Sequence, residues 1–424
     1  MSKTIKVLSG VLVAVALAAC KDPLAVTNTN NPDRLRVLAR PSDLEALIAG
    51  TYKTAFNGTF GTDGLGPSAR TMSWENASNL ANWGLGPRSA LPRSFIDNSR
   101  GNPYQGENQG DFNGLQRAAR AAGDGINRLA PTSAGGGGIT LGYAAQDARA
   151  KAFAWFSLGV ALGYVAMDYD SAAIVDPYED IAVVPPLSGY ADVVAAALTA
   201  LDSALYWTNL GTGTNGFPLP TAWINSNALS GADFTRLIRS YKAYFRANVA
   251  RTPADRAAVD WALVRDDAAA GITSTLYVTT GSGTGWTIVG NQWWLYQQWG
   301  QLNQMIGLQA DTTGIYDTWL ATPNGSKVQY LIRTPDQRFP SGDTRTTQIA
   351  NSPAVPAVTA GVPHGEKLYF RNRVSADPDA APWSSYYDWY RMLAWRNNSN
   401  GTGPYPVFTV EQNNLLRAEA LIRL

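Results

Sequence analysis

The stretch SGADFTRLIRSYKAYFRANVARTPADRAAVDWALVRDDAAAG, residues 230 to 271, does most to limit the fold. Leu237, Ile238, Tyr241, Phe245 and Val249 recur with the 3.6-residue period of a helix and make one apolar stripe. Thr252 and Pro253 then stop that helix and start another, since proline suits a first helical turn and not an interior. The second helix ends at Gly271. The pattern predicts an αα-hairpin of the tetratricopeptide kind, with a degenerate repeat signature. Such a unit buries its stripe only by packing on further helices.

Further helices are legible. PSDLEALIAGTYKTAF places Ser42 as N-cap and Glu45 three residues on, a capping box, ahead of an apolar face of Leu44, Leu47, Ile48, Tyr52 and Phe56. Helical periodicity also runs over about 112–129, 143–167 and 189–206, the second of these Ala-rich around Phe153, Phe156 and Leu158. Alternating runs at 276–279 and 286–289 flank GSGTG and predict a β-hairpin, and KVQYLI predicts one more strand. Between the helices, 57–111, 208–230 and 333–365 are long loops rich in Gly, Asn, Pro and Trp. Their aromatic content is too high for plain disorder, and structured loops on a rigid scaffold carry function. The expected class is mainly α: a tetratricopeptide-like helical-hairpin scaffold with long loops and a few short β-hairpins.

The single cysteine among 424 residues sits in VLVAVALAACKD, directly after an apolar run over 7–19 that follows Lys3 and Lys6. That run is shorter than the roughly 20 residues needed to span a bilayer as a helix, so it reads as a signal peptide over 1–19. Ala18 and Ala19 ahead of Cys20 look like a bacterial lipobox, whose thiol is acylated and becomes the first mature residue. A non-lipidated secretory signal is the alternative. No second apolar stretch is expected to span a membrane, and 20–424 reads as one domain. Acylation of Cys20 removes disulfides, thiolate nucleophiles and cysteine metal ligands together. His364, the only histidine, lies in a Pro/Gly loop, and HExxH, GxSxG and Walker-type motifs are absent. With 34 basic and 33 acidic residues, nothing electrostatic points to nucleic acid.

Three stretches carry candidate binding residues. MSWENASNLANWG holds Trp74, Asn76, Asn79, Asn82 and Trp83; GNPYQGENQGD holds Tyr104, Asn108 and Gln109; GNQWWLYQQWGQLNQ holds Trp293, Trp294, Tyr296 and Trp299. Sugar rings present C–H faces that stack on Trp and Tyr, and their hydroxyls take amide partners, so this mixture suits binding without chemistry. The candidate ligand set is Asn82, Trp83, Tyr104, Asn108, Trp293, Trp294, Tyr296 and Trp299. Core packing is the competing role for each ring, although adjacent Trp293 and Trp294 would point about 100° apart on a helix. Asp168, Asp170, Asp176, Glu179 and Asp180 crowd MDYDSAAIVDPYED but lack EF-hand spacing, so a solvated acidic turn is expected, with no metal and no cofactor. The same carboxylates, or Glu75 and Glu107, keep open a lipid-anchored glycoside hydrolase or other surface polymer-degrading enzyme. A helical-repeat scaffold that binds only protein is a third reading.

In order along the chain, the lipobox, NPDRL, DLEALIAGTYKTAF, AKAFAWFSLGVALGYVAMDYD, VVPPLSGYADVVAAALTALDSAL, LIRSYKAYFRANVAR and VFTVEQNNLLRAEALIRL resemble the landmarks of the SusD/RagB family of surface nutrient-binding lipoproteins. The resemblance covers essentially the whole mature chain. It departs from the family near Phe112, where the aromatic helix start is weaker, and at YVAMDYDSAAIVDPY, which replaces the common Gly-Asp-Val-Pro turn. In the family the last helix is followed by a Gly turn and a partner helix. That leads to the expectation of a C-terminally truncated sequence whose Leu415, Leu416 and Leu421 are left exposed. The resemblance implies a SusD-like helical fold, lipid anchoring at the surface of the outer membrane, and a SusC-like TonB-dependent transporter as partner. It further implies an oligosaccharide or peptide ligand and no catalysis.

Overall fold

The computed structural model describes residues 38–61, 65–78, 88, 96–179, 183–281, 283–287, 300–352, 370–372, 385–389 and 402–424. Cys20 with the signal peptide, NPDRL, Asn82, Trp83, Trp293, Trp294, Tyr296, Trp299 and His364 lie outside them. In chain order the main helices are α1 (Pro41–Phe60), α2 (Leu65–Met72), α3 (Gln105–Leu129), α4 (Ala144–Asp168), α5 (Tyr190–Leu210), α6 (Gly231–Asn248), the short α7 (Pro253–Ala257) and α8 (Trp261–Ala269). From α3 onward each long helix packs on the next, with α1 laid across α3 and α4.

Helix α4 is central. Its small residues let neighbours approach closely, and almost every position from Ala148 to Ala166 is buried. It reaches the length and hydropathy of a membrane span, contrary to expectation, but 83% of its apolar window is buried inside the protein. The hydropathy therefore serves the core. Phe153 and Phe156 meet Tyr52 of α1, Trp223, and Phe234 and Tyr241 of α6, and the Tyr52 and Tyr241 hydroxyls share a hydrogen bond of 3.0 Å. Where α1 crosses α3, a Cβ on Gly114 would stand 3.1 Å from the Gly58 Cα, so the crossing depends on two glycines.

Several expectations need correction. Ser42 does not cap α1: the helix starts at Pro41, two residues earlier, with Arg40 at the N-cap position, and Glu45 instead pairs with the buried Arg149 at 3.2 Å. The second arm of the 230–271 hairpin is two helices. Thr252 and Asp255 form a capping box for α7, and Asp260 caps α8 afresh. Helix α3 begins at Gln105, seven residues before Phe112, in polar turns without apolar periodicity.

The strands form two-stranded antiparallel ladders: β1 (Asn76–Ser78) with β5 (Gly300–Leu302), β2 (Ser171–Ala173) with β3 (Leu187–Gly189), β4 (Leu276–Thr280) with β8 (Gly403–Phe408), and β6 (Phe370–Asn372) with β7 (Tyr387–Trp389). The alternating run at 276–279 is thus a strand, and it pairs with β8 near the end of the chain; of its expected partner run 286–289, residues 288 and 289 lie outside the described residues. KVQYLI joins no strand. It runs extended, and side chains take the place of a partner strand: Gln304 Nε2 donates to the Tyr330 carbonyl, and the Ile332 N–H donates to Tyr387 Oη at 2.9 Å.

A second, smaller core joins Ala77, Leu302, Tyr387, Ile332 and Phe339 to α9 (Gln304–Leu308) and α10 (Ile315–Ala321), with Trp319 at its centre. Helix α11 (Arg345–Asn351) contributes Gln348, fully buried, which donates to the Ile332 and Gly342 carbonyls and accepts from Tyr387. The last helix, α12 (Val410–Arg423), is capped by Thr409 on the Gln412 N–H. Leu416 and Ala420 are buried, while Leu415, Leu421 and Ile422 are exposed, so Leu416 does not belong to the exposed stripe.

Candidate functional site

The β1–β5 ladder pairs two of the stretches that carry candidate binding residues. Asn76 pairs with Leu302, Ala77 with Gln301 and Ser78 with Gly300, and the Asn303 N–H extends the ladder by donating to the Glu75 carbonyl at 3.3 Å. Because the strands are antiparallel, the chain leaves β1 at Ser78 toward Asn82 and Trp83, and reaches β5 at Gly300 from Trp293–Trp299. Both aromatic stretches therefore attach at the same end of one ladder, 222 residues apart in sequence by the difference of 300 and 78. Beneath it the amides of Asn303 and Gln304 are buried: Asn303 Oδ1 caps α9 by accepting from the Met305 N–H at 2.9 Å, and Gln304 Nε2 reaches Tyr330. Trp74 turns the chain from α2 into β1 with φ +62°, a left-handed conformation uncommon outside glycine.

The third stretch has a different geometry. Tyr104 sits half-buried at the N-cap position of α3. Asn108 is buried, and its side chain serves the protein: Oδ1 accepts from Arg88 Nη2 at 2.8 Å and Nδ2 donates to the Asp97 carbonyl at 3.3 Å. One turn on, Asp111 accepts from the Tyr169 hydroxyl at 2.5 Å, and the same hydroxyl lies 3.1 Å from the Asn108 carbonyl. Arg88 was not singled out in the sequence, where a lone arginine in a Gly/Pro/Ser loop carries no signal. The spacing of Asn108 and Asp111 on one helical face is the cue that points toward it.

The acidic run separates into inward and outward members. Asp168, the last residue of α4, is turned in; Asp170 is exposed and pairs with Arg251. Arg251 also donates to the Ala166 and Tyr169 carbonyls at 2.9 and 2.7 Å, capping α4, and lies 4.0 Å over the Tyr190 ring. Burial, then repulsion from Asp111, push the Asp168 carboxyl up to about 7, against the pull of Arg88 and Arg251. Burial likewise raises Asp111, while Tyr169, the Phe112 N–H and Arg88 draw it down. An acid whose folded pKa exceeds its unfolded value, roughly 4, stabilises the fold below that value and loses the contribution as pH rises through about 7.

Among the described residues, no group of three or more His, Cys, Asp or Glu stands close enough to hold a metal ion. A cavity of about 170 Å³ opens between the start of α6 and the chain from Ile272 to Leu276. Three of its polar wall residues already have partners: Asp233 accepts from Ser230 and Arg236, and Asn227 donates to the Asn225 and Tyr277 carbonyls.

Two solved structures share this architecture. One is a SusD/RagB family protein from Bacteroides thetaiotaomicron, with TM-score 0.53 and 13% identity over 90% of this chain and 67% of that one. The other is a SusD homolog from Parabacteroides distasonis, with TM-score 0.55 and 13% identity over 90% and 68%. The chain has the SusD-like fold. No protein-family model and no curated protein matches it.

Proposed function

We propose that the protein is a SusD/RagB-type surface lipoprotein that binds an oligosaccharide or peptide nutrient and delivers it to a SusC-like TonB-dependent transporter in the outer membrane. The lipid on Cys20 holds it there. Ligand is gripped by Asn82, Trp83, Tyr104, Trp293, Trp294, Tyr296 and Trp299; the Asn108 side chain, taken up by Arg88 and the Asp97 carbonyl, is left out of that grip. One observation carries the reading: the β1–β5 register gathers the chain ends of two Trp/Asn/Gln-rich stretches at one edge of a SusD-like scaffold. Aromatic faces with neighbouring amides suit sugar or peptide and need no catalytic group.

Alanine variants of Trp83, Trp293 and Trp294 test this. A ring that serves as a stacking platform costs about 1–3 kcal/mol of ligand affinity when removed, by analogy with base–aromatic stacking. A core ring costs about 3–5 kcal/mol of folding stability instead. Affinity by calorimetry, paired with melting temperature for each variant, separates the two. Full affinity in all three variants, for a ligand the parent binds, would remove these residues from the site.

A further inference from the structure

The cavity beside α6 belongs to none of the three stretches read from the sequence: its walls come from residues 227–229, the first turns of α6 and residues 272–276. Its floor is apolar, with Leu237, Ile272 and Leu276 buried, and its rim carries Asn227, Asp233, Arg236, Thr273 and Ser274. The walls are fixed from behind. Asn227 Nδ2 is tied to two carbonyls at 3.0 and 2.7 Å, the Ile272 N–H donates to the Ser240 hydroxyl at 2.9 Å, and Thr275 Oγ1 accepts from the Val410 N–H at 3.3 Å. Ser226 holds the turn before Asn227 at φ +70°, a left-handed conformation that few residues other than glycine adopt. Bonding capacity is nevertheless left over at the rim. A carboxylate offers about four acceptor sites and a guanidinium five donors, whereas Asp233 accepts side-chain bonds from Ser230 and Arg236, and Arg236 gives only Nη1 to Asp233, at 2.8 Å. Among the described residues, Thr273 and Ser274 are exposed and have no hydrogen-bond partner.

We propose that this cavity is a separate binding site for a single neutral sugar ring, with Asp233, Arg236, Asn227, Thr273 and Ser274 as its hydrogen-bonding residues. Size sets the first limit. At about 170 Å³ the space falls short of the roughly 300–1,000 Å³ of sites for drug-sized ligands, so it takes one small ring and not a chain. Charge sets the second. Asp233 and Arg236 are in contact and cancel, so an anion meets the carboxylate and a cation meets the guanidinium. A free amino acid, carrying both charges, has to part the pair before it can use either. A polyhydroxyl ring leaves the pair intact: its hydroxyls donate to the spare lone pairs of Asp233 and to Asn227 Oδ1, and accept from the spare N–H groups of Arg236. Its C–H groups then cover Leu237, Ile272 and Leu276 and remove apolar surface from water. The proposal rests on this cavity alone and not on the function proposed above.

The test uses the protein from Lys21 onward with isoleucine and leucine methyl groups labelled for NMR. Titration with D-glucose, D-galactose and D-mannose, each alone, should move the Ile272 and Leu237 methyl resonances saturably for at least one sugar. Sodium sulfate and glycine at the same concentrations should not move them. Asp233 and Arg236 are about half exposed, so replacing either leaves the fold intact. Asp233→Ala and Arg236→Ala should each weaken the sugar about tenfold, the effect of losing one hydrogen bond to a charged group, at a nearly unchanged melting temperature. Thr273→Val, which removes a hydroxyl at constant volume, should weaken it about threefold. A variant lacking both Trp83 and Trp293 should bind as the parent does at this site, which separates failure here from failure of the function proposed above. Four results overturn the proposal: no sugar moves Ile272 and Leu237; sulfate or glycine moves them instead; the sugar response survives both Asp233→Ala and Arg236→Ala; or it disappears in the Trp83 and Trp293 variant.

Discussion

Replacing Asp267 with alanine will lower the folding free energy by about 3–5 kcal/mol, the range for removing one partner of a buried charge cluster. Asp267 lies on α8, and its side chain is 6% exposed. Arg239 and Arg246 of α6 contact it at 2.9 and 2.5 Å, and Lys242 stands at 3.9 Å. Arg239 is 38% exposed and screened by water, so it contributes little. The loss falls on Arg246 and Lys242, 14% and 10% exposed, left beside each other without the carboxylate between them. Lys242 keeps Asp202 of α5, which places the expected value toward the lower end. Urea unfolding measures it. A loss below about 1 kcal/mol, the surface-pair range, would mean that these cations reach water.

The α4–α6 crossing predicts a second large effect. A Cβ on Gly163 would stand 2.4 Å from Phe245 Cε2, inside any real contact distance. Phe245 cannot swing clear: it is fully buried between Tyr164 and Tyr241, with ring centroids 5.3 and 5.6 Å away. Gly163→Ala should therefore cost about 1–3 kcal/mol through overpacking, despite the roughly 1 kcal/mol that alanine adds as a helix former. Phe245→Ala should cost about 3–5 kcal/mol by leaving a cavity. Together they should cost less than the sum by about 1 kcal/mol or more, since the new methyl enters the space the ring vacates. Strict additivity in denaturant unfolding would show that the two sites do not share that contact.

What was legible in the chain follows from the range of each signal. The stripe of Leu237, Ile238, Tyr241 and Phe245 is local, and α6 follows it. The break before α8 was hidden because VDWAL continues the apolar rhythm across Asp260, and only the cap on the Leu263 N–H marks a new helix. Local alternation found β4 but not its partner, since Thr280 meets Gly403, 123 residues away. KVQYLI has strand composition, yet Gln304, Gln348 and Tyr387 bond its backbone from distant elements. At the candidate site, the aromatic and amide composition of 72–84 and 290–304 is plain, but the register that brings their ends together is not. Asp168 and Asp170 read as one acidic turn, and the end of α4 turns one inward and leaves the other in water.

Titration calorimetry of the protein from Lys21 onward, against oligosaccharide and peptide panels with product analysis, tests the central claim most directly. The account predicts saturable heat with at least one ligand class, no new product on long incubation, and loss of that heat in a variant lacking both Trp83 and Trp293. Turnover of a bound ligand, or silence across both classes with the fold intact, would contradict it.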